Sequence, residues 1–324
     1  GGILHSWSAK IDKKDSWFDT ELCENGDLLA IVKDRTLVRL DWDSNVLWSS
    51  MGRFHHDITV DGGGNIFVLS RKDELLSMHG IPVPVLNDYI VVISGKGEPI
   101  KEIPLFPLLK DWIPARRLAG LYAALADPRH QWDIFGLKRA EGFFFKEDWA
   151  SDLLHSNTVE TIRYDVDDVF RKGRLLYCSR VLDLIGVIDV ESESMVWAWG
   201  PGILDGPHHP TQLENGNILI FDNGAFRRRY SRIVELDPRS KTIVWEYESD
   251  PPERFFSPTR GASQRLPNGN TLITNSDSAL AFEITPDGTI VWKFRNPEIL
   301  DNKYRAAIYR LTRFKKEDIG RLRN

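Results

Sequence analysis

Cysteine is nearly missing from this chain of 324 residues, with Cys23 and Cys178 as its two members. Two thiols so far apart in sequence are more often buried singly than joined, so no disulfide framework is expected. Long apolar runs are missing too, since none approaches the roughly 20 residues of a membrane-spanning helix. Excess charge of either sign is slight: the net charge is −5 and the basic residues are spread out, which leaves no footprint for nucleic acid. Asp61, Asp287 and their neighbours have no EF-hand spacing and read as turn formers. The opening Gly1-Gly2-Ile3-Leu4-His5-Ser6-Trp7 reads as the middle of a strand, so a signal peptide or anchor is expected to have been removed ahead of it.

What is present is aromatic and repetitive. Eleven Trp and sixteen Phe favour strands over helices. Four segments end alike, at Val46-Leu47-Trp48, Met195-Val196-Trp197, Ile243-Val244-Trp245 and Ile290-Val291-Trp292, and the last two Trp lie 47 residues apart. Upstream stand turn-and-strand units such as Asn25-Gly26-Asp27-Leu28-Leu29, Asn215-Gly216-Asn217-Ile218-Leu219 and Asn268-Gly269-Asn270-Thr271-Leu272. Asn-Gly between apolar residues is a strong hairpin signal, because such turns need positive φ. Each unit is a small antiparallel sheet that cannot bury both faces alone, and radial packing solves that.

The expectation is an all-β, six-bladed β-propeller of four-stranded antiparallel blades, forming a single domain over residues 1–324. Five blades are recognisable near 17–50, 53–104, 155–200, 207–248 and 257–296. Leu4 to Trp7 is expected to join Ala306 to Thr312 in the sixth. Residues 107–152 break the pattern with helical spacing at Leu108, Trp112, Leu118, Leu121 and Leu125, and read as a helical insertion. A lid, a partner surface and plain packing on the propeller side are all open readings of it.

The eight His are not scattered evenly. Three sites stand just before the first strand of a blade: His55-His56-Asp57, His155-Ser156-Asn157 and His208-His209-Pro210-Thr211. The innermost strands of a propeller line its axis, so these imidazoles point at one place. Arg180 ends the second strand of its blade, and Arg260 is expected to occupy the place that His209 takes one blade earlier. Such a cluster could ligate a metal or carry out nucleophilic transfer of an anion. Arginine argues against the metal and for a tetrahedral oxyanion. Arg227-Arg228-Arg229 reads as a solvated loop.

These residues resemble the bacterial arylsulfotransferases (aryl-sulfate sulfotransferases), in a short, propeller-only version. The resemblance rests on His-His-Asp at 55–57, Leu-His-Ser-Asn at 154–157, Ser-Arg at 179–180, His-His-Pro-Thr-Gln at 208–212, Asp222-Asn223-Gly224 and the stretch from Arg260 to Asn275. It implies movement of a sulfuryl group from an aryl sulfate to a phenol, with no nucleotide sulfate donor, no other cofactor and no metal. It implies His209 as the nucleophile that becomes a sulfohistidine. His56, His155 and Arg180 would hold the sulfuryl oxygens and assist proton transfer, with Arg260, Asn157 and Thr211 on the substrate. Each doublet leaves a one-residue ambiguity, and the second member is preferred. The resemblance also implies an exported, periplasmic or membrane-associated protein. Two other uses of the pocket stay open: a non-catalytic scaffold with a protein partner on 107–152 or with further copies of the chain, and a hydrolase with water as acceptor.

Overall fold

The computed structural model describes residues 2–9, 17–78, 80–126, 152–300 and 303–315. Five four-stranded antiparallel sheets follow one another along the chain. The first holds β1 (Trp17–Leu22), β2 (Leu28–Val32), β3 (Thr36–Leu40) and β4 (Val46–Met51). The second holds β5 (Phe54–Val60), β6 (Ile66–Met78), β7 (Ile81–Ile93) and β8 (Pro99–Pro104). The third runs from β9 (Ser156–Thr161) through β10 (Leu175–Ser179) and β11 (Leu184–Asp189) to β12 (Ser194–Trp199). The fourth comprises β13 (His208–Gln212), β14 (Ile218–Asp222), β15 (Arg232–Asp237) and β16 (Thr242–Tyr247). The fifth comprises β17 (Ala262–Arg265), β18 (Thr271–Asn275), β19 (Leu280–Ile284) and β20 (Ile290–Arg295).

The inner strands β1, β5, β9, β13 and β17 are neighbours in that order around the axis. Apolar clusters form between consecutive blades, for example Leu29, Ile31 and Leu37 against Ile58, Val68 and Val91. Each Asn-Gly turn is built alike: Gly26, Gly216 and Gly269 have φ of 91°, 89° and 85°, and the preceding Asn side chain accepts the N–H that follows the glycine. The recurring tryptophans tie blades together. Trp48 donates its ring N–H to the Gly95 carbonyl of the next blade at 3.1 Å, and Trp245 does the same to Pro286 at 3.0 Å.

The expected sixth blade is not formed: among the described residues there are five blades, plus a two-stranded ribbon at Ile299–Leu300 and Tyr304–Arg305. The two end segments are too short to make four strands, and each finds another partner. Trp7 donates to the Asp41 carbonyl at 3.1 Å and His5 stacks on Trp42, which covers the first blade. Residues 306–313 cross to the first two blades without entering a sheet. Tyr309 donates its hydroxyl to the His56 carbonyl at 2.6 Å, Arg310 pairs with Asp57 at 2.6 Å, and the Leu311 N–H reaches Thr274 on β18. Trp292, lacking a next blade, lies under the Arg313 guanidinium at 5.4 Å.

The expected insertion is helical where it is described. One turn, α1 (Phe106–Leu109), leads through a 3₁₀ segment to α2 (Ala115–Ala126), and residues 127–151 lie outside the described residues. Pro114 stands just ahead of α2, whose Leu118, Leu121 and Tyr122 face the apolar cluster beneath. That cluster is built on an overlong hairpin: β6 and β7 pair from Ile66↔Ile93 out to Met78↔Ile81, and its buried Val83 and Val85 belong to the same apolar cluster as Leu109 and Ile113. No helix among the described residues is long and apolar enough to cross a membrane. Cys23 and Cys178 are both free thiols, and the buried Cys178 contacts the Pro207 carbonyl.

Candidate active site

The inner strands bend where the histidines sit. On β5, Phe54 pairs with Ser70 and Ile58 with Val68, so His55, His56 and Asp57 together face a single residue of β6. On β13, His208 pairs with Phe221 and Thr211 with Leu219, which leaves His209 and Pro210 against Ile220. On β9 the extra residue is Asn157. His56, His155 and His209 have φ of 59°, 43° and 47°. Non-glycine residues seldom adopt the left-handed region, and bulges with such backbones gather where a side chain must be re-aimed. Strand β17 is regular, so Ala262 and Ser263 stand level with His208 and His209. Arg260 therefore does not stand level with His209; it precedes β17, exposed, and lines the rim of the cavity that opens here.

A cavity of about 910 Å³ opens at these strand ends, walled by His56, His155, His208, Arg180, Phe18 and Phe226 among others. The His56 and His155 rings lie 5.4 Å apart between centroids. His155 is held by Asp152, whose carboxylate accepts its Nδ1–H at 2.6 Å and its backbone N–H at 2.9 Å. Burial would raise the Asp152 carboxyl, but the adjoining His155 outweighs burial and holds it below its ordinary range. His56 shares a 2.7 Å Nδ1–Nδ1 contact with His55, and the far nitrogen of His55 lies 3.4 Å from Asp88. His208 donates Nδ1–H to the Asn223 side-chain oxygen at 2.8 Å, which leaves Nε2 carrying the lone pair. Burial, reinforced by the positive Arg180, pushes the His208 ring down to about 3. Burial first, then His55 and His155, likewise keeps His56 well below its ordinary value.

Arg180 stacks over Phe226 at 4.8 Å and donates to the Pro258 carbonyl at 3.1 Å. Its buried Nε has no partner, and no carboxylate among the described residues pairs with it. Imidazoles kept neutral beside a guanidinium that touches no carboxylate are suited to an oxyanion under attack by nitrogen.

The doublet at 208–209 is divided. His208 is the member within electrostatic reach of Arg180, His155 and His56. His209 also lines the cavity, but its Nε2 lies 3.8 Å from Glu160, towards the far end of β9, and its main pushes towards neutrality come from burial and then Arg310. At 55–56 the second member lines the cavity, and at 208–209 both members do. Asn157 lines the cavity with its amide committed to the Pro207 carbonyl and to Thr158. Thr211 lies further along β13 and is not among the cavity walls, whereas Thr158 is, with its hydroxyl accepting the His209 N–H. The loop at 227–229 is less free than a solvated loop, since Asp205 accepts the N–H groups of Phe226, Arg227 and Arg228, and Asp222 pairs with Arg228 and Arg232.

Several members were not visible in the sequence. Asp152 precedes His155 by three residues, a spacing that could have flagged it. Asp88 comes from the outer reach of the β6–β7 hairpin, and Arg117 from α2; neither carries a local signal.

Among solved structures the fold is similar to a protein of unknown function from Bacteroides caccae, at 14% identity and TM-score 0.55, over 89% of this chain and 84% of that one. It is also similar to a streptogramin B lyase, at 12% identity and TM-score 0.50, over 89% and 72% of the two chains. Identities this low speak for the fold alone. No curated protein matches the chain. The arylsulfotransferase (ASST) family matches residues 21–297, the span from the first blade to the end of the last, and includes every histidine of the cavity. The chain belongs to the arylsulfotransferase family.

Proposed function

We propose that this protein transfers a sulfuryl group from an aryl sulfate to a phenol by way of a sulfohistidine at His208. The observation that carries the reading is the meeting of a buried, neutral His208 with the unpaired Arg180 and the Asp152-bound His155 in one cavity. Nε2 of His208 attacks sulfur, and the bond from sulfur to the aryl oxygen breaks. The departing phenolate takes a proton from His155, whose ring the Asp152 carboxylate holds in place. Charge spread over the sulfuryl oxygens falls to Arg180 and His56, as in transfers through loose transition states. The acceptor phenol then gives its proton back to His155 and attacks sulfur, and the nitrogen–sulfur bond breaks, a double displacement with ping-pong kinetics. Phe18 and Phe226 supply aromatic walls for the two phenol rings.

The test is release of nitrophenol from 4-nitrophenyl sulfate, with and without added phenol. Release is expected to depend on phenol, to vanish in His208→Ala and to survive in His209→Ala. Release that ignores the acceptor makes the protein a hydrolase. Loss in His209→Ala with activity kept in His208→Ala returns the nucleophile to the second member of the doublet. No turnover of any donor leaves the scaffold.

A further inference from the structure

Five arginines line the cavity, and four of them, Arg116, Arg117, Arg180 and Arg260, pair with no carboxylate among the described residues. The fifth, Arg310, lies against Asp57 and Asp19, and away from the cavity walls Arg228 and Arg232 lie against Asp222. Arg117, in the first turn of α2, is half-buried, and its charge is among those that act on Arg180. Asp152 and Asp183 are within electrostatic reach of it, but they are spent on His155 and on the Gly206 N–H with Arg227. Half-buried like charges held side by side cost free energy until an anion joins them.

One sulfuryl group does not use up this charge. An aryl sulfate carries a single negative charge, and its oxygens are served by Arg180 and the imidazoles. The cavity, at about 910 Å³, is near the top of the roughly 300–1,000 Å³ that suits drug-sized ligands, and far exceeds a one-ring sulfate ester.

We infer that the phenolic substrate carries a second oxyanion, a carboxylate or another sulfate, and that Arg117 on α2 binds it. The inference rests on the sulfuryl reading of the site for the first anion. The described part of the insertion thereby acquires a role, because α2 bears a specificity-determining arginine at the cavity wall.

Arylsulfonates test this without turnover, because a carbon–sulfur bond cannot be transferred. The intact protein is titrated calorimetrically with benzenesulfonate and with 3- and 4-sulfobenzoate, which add one carboxylate. At least one sulfobenzoate is expected to bind about tenfold more tightly than benzenesulfonate, a difference of about 1.4 kcal/mol. Arg117→Gln is expected to erase that preference, to within about twofold, while benzenesulfonate affinity and the melting temperature stay put. Equal affinities in the unaltered protein overturn the inference. So does an Arg117→Gln variant that loses both ligands alike, since Arg117 would then serve the sulfuryl group itself. If no sulfonate binds at all, the sulfuryl reading of the cavity fails and the inference falls with it.

Discussion

An imidazole can attack sulfur only while it is unprotonated, and it can protonate a leaving group only while it is charged. The cavity separates those demands by environment. His208 is enclosed, faces Arg180 and has its Nδ1–H tied to Asn223, so its Nε2 keeps a lone pair. His155 gives its Nδ1–H to the Asp152 carboxylate, which fixes the ring. In the proposed transfer, two rings with the same intrinsic chemistry take opposite roles. Asp152→Asn should weaken acid catalysis without touching the nucleophile. The expected result is a fall in kcat of about 10²–10⁴, steepest for phenyl sulfate, whose poor leaving group needs the proton most, and mildest for 4-nitrophenyl sulfate. An equal fall for both donors would contradict this role. His55 and His56 were readable as a pair, and the structure sorts them: His56 reaches the cavity while His55 is buried between it and Asp88. The doublet at 208–209 could not be sorted from sequence, because a bulge decides which ring turns which way.

At the scale of elements, the segment that closes the ring matters most. Residues 306–313 form no strand, yet they deliver Arg310 into a pocket of carboxylates formed by Asp19, Asp57 and Glu160. Burial, with Asp57 nearby, raises Glu160 to about 8, and burial raises Glu21 to about 7, so the pocket holds more acid than one arginine neutralises. Removing that cation leaves buried carboxylates without their partner. Arg310→Met should therefore lower folding stability by about 3–5 kcal/mol, read from urea unfolding, a large share of what a domain has to lose. A change below about 1 kcal/mol, typical of surface pairs, would mean that the segment is not fastened there. A sequence pattern could not show this: strand-like spacing at 306–312 is the same whether or not partner strands exist. The loop at 222–224 is tightly drawn as well. Gly224 has φ of 69°, and a Cβ there would meet the Tyr230 carbonyl at 1.8 Å, which explains a glycine beside the Asn223 that orients His208.

For the whole molecule, repetition made the architecture legible. The Asn-Gly turns and terminal tryptophans mark the blades because the blades solve one shared problem, pinning an outer strand to a neighbour's turn. The number of blades was not legible, since it depends on how the ends are used, and here five blades are completed by a crossing segment. What the repeat hides is also what differs between blades: the long β6–β7 hairpin, whose Asp88 stands behind His55, and α2, which brings Arg117 to the cavity wall. Function sits in those departures from the repeat as much as in the repeat itself.

The most direct test of transfer through His208 is a search for the covalent intermediate. The protein is mixed with 4-nitrophenyl sulfate in the absence of acceptor, quenched under alkaline conditions and digested for peptide mass spectrometry. The expected result is a burst of nitrophenol in proportion to enzyme and a sulfuryl adduct on His208 that disappears when phenol is added. A protein that turns over donor with no adduct, or that carries it on His209, would contradict the mechanism.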